Sequence, residues 1–326
     1  MSKVQKIVIL TSGGDAQGMN ACIRSIARVA IASNIKVLGS VDGFNGLIDN
    51  NIINISYTDV SNIIQRGGTI LGTARSSRFL EKTYREKAYK NIVKNHIDAI
   101  VIIGGDGSYK GVKIFNEEFK IPYIGIPGTI DNDIIGTDYT IGFDTALNNI
   151  ISTIDKIKDT ASSHHRIFLI EVMGNTSGNL AIKAALATGA EEVFIPETEE
   201  DYPRFELKIK AAMAHNKSSI VIVSEGDELG GAQALHQYLK SKKLHEKVRI
   251  SILGHMQRGG APSFRDREVG SLFGAKSIEL LINNKFNLLL GLNNGHIVSY
   301  TFTDQITKHN QADQNYLDLI NVLSVY

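Results

Sequence analysis

Six short runs of Ile, Val and Leu punctuate the chain: "KIVIL" (6–10), "AIVII" (99–103), "YIGI" (123–126), "RIFLIEV" (166–172), "SIVIV" (219–223) and "RISIL" (249–253). Longer segments of mixed polarity separate them. In "FDTALNNIISTIDKIKD" (143–159) the apolar positions are 143, 147, 150, 151, 154 and 157, close to the period of a helix. "MNACIRSIARVAIA" (19–32) reads the same way. Unbroken apolar strands alternating with helices predict an α/β fold whose parallel sheet is covered on both faces. No short repeat or low-complexity tract interrupts the pattern, and five prolines leave little room for a stiff linker. Any second domain is expected to be joined by ordinary βα connections.

Length and charge narrow the picture. A chain of 326 residues, 43% apolar, suits one large or two medium domains. No stretch approaches the ~18 apolar residues of a membrane span. The opening "MSKVQKIVIL" has four apolar residues in a row, fewer than the roughly 7–15 of a signal-peptide core. A net charge of +1 offers nothing to nucleic acid or an anionic membrane. Cys22 is the sole cysteine, which excludes disulfide frameworks and cysteine-rich zinc sites. A soluble cytoplasmic protein is expected.

Three predicted strands run into glycine-rich turns, "LTSGGDAQGMN" (10–20), "IIGGDGSYKG" (102–111) and "IPGT" (126–129). In doubly wound sheets ligands sit beyond strand carboxyl ends, and glycine lets backbone amides approach a phosphate. One such turn can simply close a tight bend; three on successive exits point to an anionic ligand. Met19 and Asn20 stand where a P-loop needs Lys and Ser/Thr, and "GGDGSYKG" lacks the third glycine of a dinucleotide fingerprint. Asp106 among these turns is either a helix cap or a carboxylate that needs a cation between it and a phosphate, a role suited to Mg²⁺. The turn "IPGTIDND" (126–133) presents Asp131 and Asp133 two residues apart, as solvated decoration or as a base with its partner.

"LTSGGDAQGMNA", "QRGGTILGTAR", "IGGDGS", "PGTIDND", "GFDTA", "EVMG" and "GHMQRGG" together resemble the bacterial ATP-dependent 6-phosphofructokinases, in order from about residue 6 to at least 275. The resemblance implies two doubly wound Rossmann-like domains with mostly parallel sheets and the active site in the cleft between them. Residues 1–142 plus 257–307 would form the larger, ATP-binding domain, and 143–256 plus 308–326 the smaller, sugar-phosphate domain. It also implies transfer of the ATP γ-phosphate to the 1-hydroxyl of fructose 6-phosphate, with Mg²⁺, in a homotetramer.

On this resemblance Asp131 is the general base, with Thr129 and Asp133 arranging the transferred group, and Arg75 stabilises phosphoryl charge. Gly14, Arg75, Ser76, Gly105, Asp106, Gly107 and Ser108 match nucleotide positions, with Asp106 at the metal. Thr129, Ile130, Asp131, Met173, Gly174, Asn175, Glu225, His255, Met256, Gln257 and Arg258 match sugar-phosphate contacts. Arg166 and Arg249 match arginines that reach the sugar phosphate from a neighbouring subunit. Arg24, Arg28, Lys158, Glu191 and Lys217 match a pocket for ADP and phosphoenolpyruvate as possible effectors.

Departures accompany the likeness. Asn175 replaces an arginine common in the family, Ser76 replaces an aromatic residue beside the nucleotide while Phe79 keeps the later one, and Tyr57 and Asn62 replace a charged effector pair. A pyrophosphate-using sister class carries Asp and Lys where this chain has Gly107 and Gly128, so ATP is the implied donor. Two other readings stand beside the kinase: a sugar-phosphate or nucleotide sensor without turnover, motivated by Asn175, and a diacylglycerol- or NAD-kinase-like enzyme sharing "GGDG". The second gives no reason for "PGTIDND" or "GHMQRGG".

Overall fold

In the computed structural model, residues 4–199, 201–302 and 313–324 are described. In chain order the elements are β1 (Lys6–Ser12), α1 (Met19–Ala32), β2 (Lys36–Ser40), α2 (Phe44–Asp49), β3 (Ile52–Asn54), α3 (Lys82–Lys94), β4 (Ala99–Gly104), α4 (Asp106–Phe119), β5 (Tyr123–Pro127) and α5 (Phe143–His164). There follow β6 (Ile167–Val172), α6 (Asn179–Thr188), β7 (Glu192–Phe194), α7 (Tyr202–Ala214), β8 (Ser219–Ser224), α8 (Ala232–Ser241), β9 (Val248–Ile252), α9 (Phe264–Ile282), β10 (Leu288–Asn293), β11 (His296–Thr301) and α10 (Gln314–Leu323). They divide into two compact units. The first holds 4–130, 134–145 and 258–302, the second 131–133, 146–199, 201–257 and 313–324. Asp131–Asp133 and Gln257 thus count with the second unit, whereas the sequence reading set them in the first, and residues 143–145 count with the first, whereas it set them in the second. The expected crossing at 307/308 lies outside the described residues.

The first unit is built on a seven-stranded sheet of order β11-β10-β5-β4-β1-β2-β3. Its strands are parallel except β3 and β11, which run antiparallel to their neighbours at the two edges. Every residue of β4 is buried, as a strand covered on both faces requires. Val8, Leu10, Ile100, Ile102, Tyr109 and Phe115 lead one side of the core. From β1 the chain goes to β2 on one side, then returns to place β4 on the other. That reversal makes the β1/β4 exit the crevice where an open α/β sheet receives ligands. In register, Ser12 pairs with Gly104 there.

The second unit carries a four-stranded parallel sheet of order β7-β8-β6-β9. Ile167, Leu169, Val221, Val223, Phe194, Phe205, Leu235 and Leu239 pack one side of it. The order reverses beside β6, which has β8 on one flank and β9 on the other. All six runs picked out in the sequence are strands, shifted by a residue at most at their starts. β2, β3, β7, β10 and β11 were not anticipated, and α5 continues five residues beyond the predicted 159.

Candidate functional site

In the first unit the β1, β4 and β5 exits are tied into one surface by short hydrogen bonds. Ser108 Oγ donates to Ser12 O at 3.0 Å, and Gly128 N donates to Gly104 O at 3.0 Å. Gly104 has no alternative here, because a Cβ would lie 2.5 Å from both Ser12 O and Ser108 Oγ. Gly13 adopts φ 95°, and its N–H and carbonyl meet Ala74 O at 3.4 Å and Thr73 Oγ1 at 3.0 Å. This lacing sets Arg75, exposed, beside the Gly13–Gly14 turn. Arg258 donates to Asp15 O at 2.7 Å and lies over Gly14, where a Cβ would fall 2.6 Å from its Nη1. Thr129 is held through its carbonyl, which accepts from Thr140 Oγ1 at 2.6 Å. Gly14, Arg75, Gly105–Ser108, Thr129 and Arg258 are therefore neighbours of one sheet edge.

Asp106 opens α4. Its Oδ2 pairs with Lys110 Nζ at 2.6 Å, one turn along the same helix. Its Oδ1 is buried without any hydrogen-bond partner. A buried carboxylate oxygen with nothing to accept from is costly unless a cation or donor arrives. Beside it Gly107 faces open space, with nothing within 4 Å of an added Cβ. Among the described residues no cluster of three metal-ligating side chains occurs. One carboxylate oxygen beside open space is what Mg²⁺ uses when substrate phosphates complete its shell, so the residues present fit that ion.

Gly128 differs from Gly107. A Cβ there would meet Ile103 Cγ2 at 2.8 Å and Met19 Cε at 3.2 Å, so a longer side chain runs into the core wall first. Ser76 Oγ donates to Asn45 Oδ1 at 2.6 Å, and Arg78 forks onto Asp49 at 2.9 and 2.6 Å. Phe79 corrects an expectation: it is 4% exposed and stacks on Phe44 at 3.9 Å, so its ring is committed to the core rather than offered to a nucleotide. Arg85, buried on α3, fastens this stretch. It forks onto Glu118 at 2.7 Å twice and donates to Phe79 O at 2.9 Å and Leu80 O at 2.7 Å. The guanidinium holds the Glu118 carboxyl below its ordinary range.

The starts of α5 and α9 are stapled together. Asp266, fully buried, accepts from Gly142 N at 2.8 Å, Thr145 N at 2.9 Å and Thr145 Oγ1. Thr145 Oγ1 in turn accepts from Ser263 N at 2.9 Å, and Ser263 caps α9. Burial pushes the Asp266 carboxyl up to about 6, against the pull of those three donors. Asp266 and Arg85 went unnoticed in the sequence, where a lone acid and a lone arginine on helices carry no signal.

In the second unit Met173, Gly174 and Asn175 leave β6, Glu225 leaves β8, and His255–Gln257 follow β9, so the three neighbouring strands deliver them to one sheet edge. Gln257 is buried and accepts from Met173 N at 3.1 Å while donating to Gly254 O at 2.9 Å. Glu225 Oε1 accepts from Asn175 N at 2.9 Å. Asn175 sits at φ 54°, a left-handed conformation that asparagine tolerates better than arginine. Asp131, Asn132 and Asp133 belong to this unit, where Ser177 Oγ donates to Asp131 O and Asn179 Nδ2 to Asn132 O. Arg166 and Arg249 are not brought to this edge. They stand at the amino ends of β6 and β9, and Arg249 donates to Glu246 O and Val248 O. Six residues of strand, about 20 Å, separate Arg166 from Met173.

Of the implied effector residues, Arg24 and Arg28 lie on α1 in the first unit, and Arg28 stacks over Tyr57 at 4.2 Å with its Nε buried and unpartnered. Lys158, Glu191 and Lys217 lie in the second unit. There Lys158 donates to Thr188 O, and Glu191 accepts from Ile220 N at 2.6 Å.

The phosphofructokinase family model matches residues 6–281. An "ATP-dependent 6-phosphofructokinase 2" of Bacteroides thetaiotaomicron is 46% identical over 324 residues, 99% of this chain and 98% of that one. An "ATP-dependent 6-phosphofructokinase" of Macrococcus caseolyticus is 47% identical over 323 residues, 99% of this chain and all of that one. Among solved structures, Pichia pastoris phosphofructokinase in the T-state superposes with a TM-score of 0.84 at 34% identity. The match covers 92% of this chain and 35% of that longer one. A pyrophosphate-dependent phosphofructokinase from Marinobacter aquaeolei has the same TM-score at 21% identity, which speaks for the fold alone.

Proposed function

The chain belongs to the phosphofructokinase family, and from that premise we propose that it transfers the γ-phosphate of ATP to the 1-hydroxyl of fructose 6-phosphate, giving fructose 1,6-bisphosphate and ADP, the committed step of glycolysis. The observation that carries this reading is the orphaned, buried Oδ1 of Asp106 at the centre of three glycine-rich exits from the adjacent strands β5, β4 and β1. A polyanion accompanied by a cation suits an acid in that setting.

Asp131 takes the proton of the sugar 1-hydroxyl as it attacks, a contribution of roughly 10²–10⁴-fold for a positioned base. Asp106 would hold Mg²⁺, whose charge neutralises donor phosphates during a loose, largely dissociative transfer. Arg75 adds a planar cation beside the Gly13–Gly14 turn, where it stabilises the charge of the transferred phosphoryl. Thr129 orients the transferred group, its backbone fixed by Thr140. Met173, Gly174, Glu225, His255 and Arg258 bind the sugar. The open face of Gly107 leaves room for the nucleotide side of ATP.

Arg166 and Arg249 serve the sugar phosphate of a neighbouring chain in a homotetramer. Their place at the amino ends of β6 and β9, a strand's length from Met173, supports that division of labour. ADP and phosphoenolpyruvate act as effectors, and the enzyme works in the cytoplasm.

Steady-state kinetics with ATP and with pyrophosphate test the reading. Turnover of fructose 6-phosphate with Mg·ATP, little with pyrophosphate, and at least a ~10²-fold loss of kcat in Asp131→Asn are expected. Turnover with pyrophosphate alone, or an Asp131→Asn enzyme of nearly full kcat, overturns it.

A further inference from the structure

The turn that carries Asp131 is gripped from the start of α6. Asn132, 5% exposed, adopts φ 50° between the two acids. Its carbonyl accepts from Asn179 Nδ2 at 3.0 Å. The same nitrogen donates to Ser177 Oγ at 3.0 Å, and Ser177 Oγ reaches Asp131 O at 3.5 Å. An amide nitrogen has two hydrogens, so one serves each contact. Ser177 is 1% exposed and is itself fixed, its N–H donating to Gly174 O at 2.9 Å. Gly174 has to be glycine for this: it takes φ 145°, and a Cβ would lie 2.3 Å from Ser177 O.

We infer that Asn179, acting through Ser177 and the Asn132 carbonyl, is the positioning residue that holds the Asp131 turn in register with the 173–175 loop. The inference rests on the proposed role of Asp131 as base. Two successive carbonyls, of Asp131 and Asn132, are taken up by one side-chain pair: Ser177 on the loop bearing the proposed sugar contacts Met173 and Gly174, and Asn179 where that loop enters α6. A turn of mixed conformation with an Asn at positive φ has other conformations open to it. A grip on its backbone, rather than on the Asp131 carboxylate, leaves that carboxylate's charge untouched while fixing where it stands. Misplacement of a reacting group by about 1 Å costs on the order of 10² in rate. A role confined to capping α6 would not need the contact to Asn132.

The test is a double-mutant cycle in the full-length enzyme with Asp131→Asn and Asn179→Ala, the conservative Asn179→Ser, and steady-state kinetics for both substrates. Asn179→Ala is expected to lower kcat about 10- to 100-fold with both KM values within about threefold. In the Asp131→Asn background the same substitution should cost less than about twofold, because the base it positions is gone. An equal fractional loss in both backgrounds, or a loss confined to KM, overturns the inference. If Asn179→Ala does not fold, Asn179→Ser replaces it in the cycle; failure of both to fold makes Asn179 a structural residue and also overturns it. Retention of kcat by Asp131→Asn alone instead removes the base assignment, so the two failures are told apart.

Discussion

Lys110 Nζ and Asp106 Oδ2 form a 2.6 Å ion pair along one face of α4, leaving the other carboxylate oxygen buried and unpartnered. The ammonium competes with any cation for Asp106. The Lys110 side chain is 47% exposed, and exposed pairs are worth roughly 0.2–1 kcal/mol. Lys110→Met is therefore expected to lower the Mg²⁺ concentration for half-maximal nucleotide binding by about threefold. A metal titration followed by calorimetry checks it; an unchanged midpoint means the pair does not compete.

Gly107 and Gly128 should respond differently to added side chains. Gly107 has open space and lies in the first turn of α4, where an acid is favoured, so Gly107→Asp should raise the KM for ATP at least tenfold without lowering Tm. Gly128→Ala must displace Ile103 or Met19, an overpacking cost of about 1–3 kcal/mol. Melting curves beside ATP saturation curves distinguish the two, and an Asp at 107 that leaves ATP saturation unchanged contradicts this account of donor choice.

Arg85→Ala leaves Glu118 unpaired and frees the Phe79 and Leu80 carbonyls. Destabilisation of about 2–4 kcal/mol is expected, with a higher KM for ATP because the Arg75–Phe79 stretch loosens. Since the folded Glu118 carboxyl is held below its unfolded value, the pair stabilises the chain above that unfolded value and its contribution fades as pH falls through the folded one. Urea melts at neutral pH and in acid should show the gap between wild type and variant closing in acid.

Asp266 behaves with the opposite sign. Its folded value near 6 exceeds the unfolded ~3.9, so between those values the folded chain keeps a proton that the unfolded chain has released. Stability contributed by this group is full below ~4 and is lost as pH rises through about 6, by about 2–3 kcal/mol. Asp266→Asn should lack that slope. Parallel stability–pH curves for the two proteins would show that the three donors, not burial, govern the carboxyl.

Tyr57 lies over the Arg28 guanidinium at 4.2 Å, and the resemblance implies that it replaces a charged residue of an effector pocket. Each charge-assisted hydrogen bond lost to an anion removes about 1.5–3 kcal/mol. Saturating ADP or phosphoenolpyruvate is expected to move the fructose 6-phosphate half-saturation point less than tenfold, and Tyr57→Arg to widen the shift. A larger shift in the wild-type enzyme would show that stacking does not disable Arg28.

Strands written in unbroken Ile and Val, such as β4 and β8, were legible. β2 and β10 are buried as well, but a glycine interrupts their short Val and Leu runs, and β3 and β7 are three residues each, too short to show a pattern. The glycine-rich exits were legible as motifs, and so was the place of Arg166 at the opening of "RIFLIEV". What joins Asn179 to Asn132 is a contact across 47 residues with no local pattern. Tyr57 over Arg28 is likewise a product of tertiary packing. The resemblance set Phe79 beside the nucleotide; Phe44 claims its face instead.

The crowding around Gly128 also orders history. A single substitution suffices at Gly107, but at Gly128 a side chain becomes tolerable only after Ile103 or Met19 has given way. A lineage drifting from this chain toward another phosphoryl donor would pass through 107 first, and two residues of the hydrophobic wall would hold the latch on the second step.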